Sequence, residues 1–173
     1  MNYFELFQIP VSLNLDTAQL AVRYRELQRE FHPDNVAAQS DAIKLEAMQQ
    51  SVEINSAYNT LKAPLARAEY ILVLQGIDLR HEQQTVKDTA FLMEQLEWRE
   101  ELDDLQHQPD ESAITGFLVR VKQYYQRYFL SLEQQIVDAQ YHEAAETLRK
   151  LKFVQKMKDE LDKLEESLFD SYP

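Results

Sequence analysis

The sequence predicts an all-α chain of two helical units: an antiparallel helical hairpin with flanking helices over 1–76, a join over 77–87 and a three-helix bundle over 88–173. Three observations carry this reading. Only 2 glycines occur in 173 residues, and Ala, Leu, Gln, Glu and Lys dominate, a composition of helix formers with little to spend on β-turns. Apolar side chains recur at three- and four-residue spacing along most segments. Pro10, Pro33, Pro64, Gly76 and Pro109 fall between those segments, where helix breakers belong.

The first segment, with Tyr3, Phe4, Leu6, Phe7 and Ile9, reads as a short apolar helix closed by Pro10. A better start signal follows: Asp16 is a cap, Gln19 completes a capping box, and Leu15 and Leu20 occupy the staple positions. The predicted helix spans 17–31. Leu20, Tyr24, Leu27 and Phe31 share its buried stripe, and Arg25 and Arg29 lie with Val22 on the opposite face. That face is either a solvated surface with ordinary i to i+4 pairing or a basic docking surface.

Phe31, His32, Pro33 and Asp34 interrupt the pattern. Pro33 lacks an N–H and biases His32 away from helical backbone angles, so the helix stops and an imidazole and a carboxylate are left on a tight bend. Residues 35–41 form a polar loop, and a helix over 41–62 places Ile43, Ala47, Ile54, Ala57, Tyr58 and Leu61 on one face, able to pack antiparallel against the preceding helix. Pro64 opens a further helix, 65–75, and Gly76 supplies its left-handed stop.

In the second half, the helix over 88–106 has a core stripe of Phe91, Trp98, Leu102 and Leu105. Leu92, Met93 and Leu96 lie on another sector among Glu97, Arg99, Glu100, Asp103 and Asp104. That is more apolar surface than one core contact needs; either a neighbouring helix covers it or a partner does. After Pro109 a long helix gathers Ile114, Phe117, Val121, Tyr124, Tyr125, Tyr128, Leu132 and Ile136. The last, over 141–169, carries Ala144, Leu148, Leu151, Val154, Met157, Leu161, Leu164 and Leu168. Three such helices make a bundle.

Charge and composition exclude several classes. The formal net charge is −12, and residues 1–76 hold 6 basic and 9 acidic side chains against 12 and 21 in the remainder. Nucleic acid is therefore not expected, because phosphate binding rests on Lys and Arg. The chain has 0 cysteines and 4 scattered histidines with no Glu-x-x-His or His-x-x-x-His pair, so neither a metal nor a cofactor is expected. No leader pattern opens the sequence and no stretch approaches the roughly 20 apolar residues of a membrane span. The expected compartment is the cytoplasm.

A helical hairpin with His32-Pro33-Asp34 at its tip, a basic outer stripe and an aromatic first segment resembles the J-domain of DnaJ-type co-chaperones. A more specific resemblance runs the full length. Thr85 to Glu97, Arg99-Glu100-Glu101-Leu102, Tyr3-Phe4, Ala68-Glu69-Tyr70 and Arg149-Lys150-Leu151 to Phe153 are similar to the J-protein family of bacterial iron–sulfur cluster biogenesis.

The resemblance implies a non-enzymatic co-chaperone with two partners. His32, Pro33 and Asp34, with Arg25 and Arg29, would dock on an HscA/DnaK-type chaperone and trigger its ATP hydrolysis. Leu92, Met93, Leu96 and Phe153 would bind an IscU-type scaffold protein, with Lys87, Glu97, Arg99, Glu100 and Asp104 around them. Two positions depart from the family pattern: Asn35 stands where many J-domains have Lys, and Lys87 where Arg is expected, which keeps the charge but loses the bidentate fork. The competing readings are a helical adaptor without chaperone activity and a small enzyme using His32 and Asp34 as an acid–base pair.

Overall fold

The computed structural model describes residues 1–79 and 88–170. All regular elements among them are helical: α1 (Tyr3–Leu6), α2 (Thr17–Glu30), a 3-10 turn (Pro33–Val36), α3 (Asp41–Lys62), α4 (Pro64–Leu74), α5 (Thr89–His107), α6 (Glu111–Val137) and α7 (Tyr141–Asp170). They fall into two compact units, Met1–Gln75 and Gly76–Pro173.

Helix α1 ends three residues short of the expected Ile9. The Gln8 N–H donates to the Glu5 carbonyl and the Ile9 N–H to the Phe4 carbonyl, with Gln8 at φ 57°. This is a Schellman stop, and it satisfies the orphan carbonyls of a helix too short for an interior of its own. The same motif closes α6: Ala139 stands at φ 58°, its N–H donates to Ile136, and that of Gln140 to Gln135. Gly76, at φ 84°, follows α4 as expected.

Helix α3 organises the first unit, packing against α1, α2, the 3-10 turn and α4. Leu20 and Leu27 of α2 are buried, as are Ala47, Ile54, Ala57 and Leu61 of α3. Between the two helices the Tyr24 and Tyr58 rings stack 4.0 Å apart at 6°. The Tyr24 hydroxyl donates to Asn55 Oδ1 and accepts from Gln28 Nε2 at 2.7 Å. Ile43 departs from expectation and is 42% exposed. It lies in the first turn of α3, beyond the end of α2, beside Phe31 and Val36 in an open groove.

Two connections between distant segments tie this unit together, one part-buried and one buried. The Tyr3 N–H donates to the Tyr70 hydroxyl at 2.9 Å while the two rings stack at 4.6 Å, so the aromatic start of the chain is anchored on α4. Arg67, buried in α4, donates from Nε to the Leu13 carbonyl at 2.9 Å and from Nη1 to that of Leu61 at 2.7 Å. A buried guanidinium is tolerable because fixed acceptors replace water.

In the second unit α6 and α7 pair along their length, with Ile114, Phe117, Val121 and Leu132 facing Ala144, Leu148, Leu151, Val154 and Leu161 as the buried side chains. Helix α5 joins them through rings. Trp98 meets Phe117 at 5.8 Å and Tyr124 at 5.0 Å edge-on, and stacks with Phe153 at 6.1 Å. The expected α5 stripe of Phe91, Trp98, Leu102 and Leu105 is buried throughout. Among the described residues no helix is long and apolar enough to cross a membrane, and no group of three or more His, Cys, Asp or Glu side chains is placed to hold a metal.

Candidate functional site

Two surfaces carry the candidate residues, one in each unit. At the first, α2 ends on Glu30, with Phe31 still donating its N–H to Leu27. His32 takes the extended angles φ −63°, ψ 132° that a following proline demands, and Pro33 opens the 3-10 turn. His32 Nδ1 accepts the Asp34 N–H at 3.1 Å and stands 3.6 Å from the Asp34 carboxylate. An imidazole nitrogen that accepts an amide proton is the unprotonated one, so in this arrangement Nε2 bears the ring proton. The Asp34 side chain is 90% exposed. The bend thus displays a carboxylate and an imidazole edge with little ordering left to do on contact.

Arg25, Gln28, Arg29 and His32 line an open groove of about 660 Å³ together with Asn35 and Ser51. Both arginines are exposed, and Arg29 Nε donates to the Arg25 carbonyl at 3.4 Å. The neighbouring ion pair is Arg23 with Glu26, at 3.3 Å, one turn away on the helix. Arg25, Arg29 and His32 are therefore brought to one groove; Pro33 and Asp34 flank it without lining it. Sequence reasoning missed the part played by Asn35. Its Nδ2 donates to the Arg29 carbonyl at 2.8 Å and to that of Glu30 at 3.2 Å, capping α2 from beyond the bend. A side-chain amide near a helix end is a recognised capping signal, but the comparison with Lys drew attention to its missing charge instead.

The second surface is on α5. Leu92, Met93 and Leu96 are 40%, 56% and 58% exposed, so among the described residues of this unit the extra apolar sector is left open. Helical spacing sets Leu92, Leu96 and Arg99 on one line and Met93, Glu97, Glu100 and Asp104 on the next, and Glu97, Arg99, Glu100 and Asp104 are all exposed. Lys87 lies outside the described residues. Phe153 of α7 is half-buried: its ring is edge-on to Phe91 at 5.8 Å, stacks on Trp98, and lies 5.5 Å from the Arg99 guanidinium. It is part of the support for the surface as well as beside it.

The polar contacts under α5 hold it in place. Asp88 caps the helix by accepting the Phe91 N–H at 3.1 Å and pairs with Lys150 Nζ at 2.9 Å. Lys150, first, and then the Phe91 amide hold the Asp88 carboxyl below its ordinary pKa. A hydrogen bond to Glu94 is the leading cause of the raised Tyr124 pKa, and burial of that of Tyr128. Glu101 pairs with Arg120 of α6.

The hairpin with an exposed His-Pro-Asp turn at its tip and arginines along its outer groove defines a J-domain co-chaperone. Residues 2–70 match the family described as DnaJ domain, and residues 87–162 match that described as HSCB C-terminal oligomerisation domain. The chain is 50% identical over 172 residues to the co-chaperone protein HscB homolog of Aeromonas hydrophila subsp. hydrophila, covering 99% of this chain and 100% of the relative. It is 48% identical over 170 residues to that of Vibrio vulnificus, 98% and 99% covered. The chaperone HscB from Vibrio cholerae superposes with a TM-score of 0.85 at 44% identity, over 97% of this chain and 99% of that one. The chain belongs to the HscB co-chaperone family.

Proposed function

We propose that this protein is a co-chaperone of iron–sulfur cluster biogenesis that stimulates ATP hydrolysis by an HscA/DnaK-type chaperone and delivers an IscU-type scaffold protein to it. Residues 1–76 form the J-domain that triggers the ATPase, residues 88–173 select the client, and 77–87 join them. Arg25 and Arg29 supply complementary charge for the encounter, and His32, Pro33 and Asp34 make the trigger. Leu92, Met93, Leu96 and Phe153 bind the scaffold with Glu97, Arg99, Glu100 and Asp104 at the rim, and Lys87 contributes a further scaffold contact. Carrying client and trigger on one chain raises their effective concentration at the chaperone.

The observation that carries this reading is the exposure of Leu92, Met93 and Leu96 together on a helix whose opposite stripe is buried. Apolar side chains of that size, grouped and rimmed by charge, mark a docking surface more than a solvated one. The protein itself is read as non-catalytic: His32 Nδ1 is engaged by the Asp34 amide, which makes the pair a turn cap before it is an acid–base couple. A cytoplasmic setting is part of the same proposal.

ATP turnover by the cognate HscA-type ATPase, with scaffold present, tests it. Added protein is expected to raise turnover, and the His32→Gln form is not. Equal stimulation by both would overturn the J-domain assignment.

A further inference from the structure

The scaffold-facing patch is assembled from two helices, Leu92 and Leu96 from α5 and Phe153 from α7, so something must fix the register between them. Asp88 stands four residues before Leu92, and Lys150 stands three before Phe153, each one helical turn back from its patch residue. The two side chains meet at 2.9 Å across the helices, with Lys150 only 17% exposed on its side chain. Its ammonium also lies 5.5 Å from the Phe91 ring centroid and 5.6 Å from that of Tyr128. Phe91 in turn sits edge-on to both Tyr128 and Phe153.

We infer that Asp88 and Lys150 are a positioning pair for scaffold binding: their contact sets where the start of α5 lies along α7 and thereby places Leu92 beside Phe153. The inference rests on the reading of that patch as the client surface. The physical case is that the start of α5 lies more than three turns before the Glu101–Arg120 pair and the buried Leu102 and Leu105 that hold the second half of the helix, and there a paired charge ringed by aromatic faces favours one placement. Asp88 does two jobs, cap and ion pair, and they are separable. Asn caps a helix as well as Asp but carries no charge, and Met keeps the length of Lys without its ammonium.

Scaffold affinity by calorimetry is measured for the full-length protein and for Asp88→Asn, Lys150→Met, their double variant, Lys150→Arg and Leu92→Ala, with Trp98 emission recorded for each. Trp98 is the only tryptophan and stacks on Phe153, so its emission reports register in the folded state. Expected are affinity losses of about three- to five-fold for Asp88→Asn and for Lys150→Met, no further loss in the double variant, a shifted Trp98 emission in Lys150→Met, and near-normal behaviour of Lys150→Arg. If Leu92→Ala weakens binding while the pair variants bind normally, or their losses add, the positioning role is overturned and the patch stands. If Leu92→Ala itself binds normally, the patch reading fails and the inference fails with it.

Discussion

Asn35 Nδ2 donates to the Arg29 carbonyl at 2.8 Å, so the residue that follows the His-Pro-Asp turn closes the helix that precedes it. The turn is thereby pinned at both ends, by the His32 cap on Asp34 and by Asn35 on α2. Asn35→Ala removes two donors from the end of α2 and frees the bend. It is expected to lower stability by about 1 kcal/mol in denaturant titration. ATPase stimulation should fall further than that loss of folded protein accounts for. Unchanged stimulation would show that the bend holds its shape without the cap.

The patch residues separate by burial. Leu92→Ala with Leu96→Ala truncates exposed side chains and is expected to stay within about 0.5 kcal/mol of the parent stability, while scaffold affinity drops about ten-fold or more. Phe153→Ala differs. It loses the Trp98 stack and the Phe91 edge contact and is expected to cost about 2–3 kcal/mol as well as affinity. Thermal unfolding beside calorimetry distinguishes the two behaviours.

Arg67 bridges the loop before α2 and the end of α3 through the Leu13 and Leu61 carbonyls. Arg67→Met fills similar space without donors and strands both carbonyls. A loss of about 2–3 kcal/mol is expected for the first unit, read as a lower midpoint in denaturant with the second unit's transition unchanged.

Asp88 gives a pH dependence with a defined sign. Its folded pKa is depressed, chiefly by Lys150. Its charged form therefore contributes stability that is fully present above the unfolded aspartate value of about 3.9 and is lost as pH falls through the lower folded value. Melting temperature should decline more steeply for the parent than for Asp88→Asn as pH is lowered from about 4. Parallel curves would mean that the pair contributes nothing to folding.

Much of this was legible residue by residue. The buried stripe Phe91, Trp98, Leu102 and Leu105 and the stranded sector Leu92, Met93 and Leu96 follow from helical geometry alone, and their burial in the structure agrees. Ile43 was misplaced because periodicity names a face but not how far the partner helix reaches along it. The early end of α1 was missed because a Schellman stop on Gln8 carries no glycine to announce it.

The sequence by itself determined the helices, their inner and outer faces and the site of the bend, because each depends on neighbours within a turn or two of chain. Tertiary structure decided which distant side chains meet: Tyr3 with Tyr70, Arg67 with Leu13, Asp88 with Lys150, and Phe153 with Phe91 and Trp98. These pairs lie more than fifty residues apart. Their contact depends on the path of the folded chain between them, which local propensity does not encode.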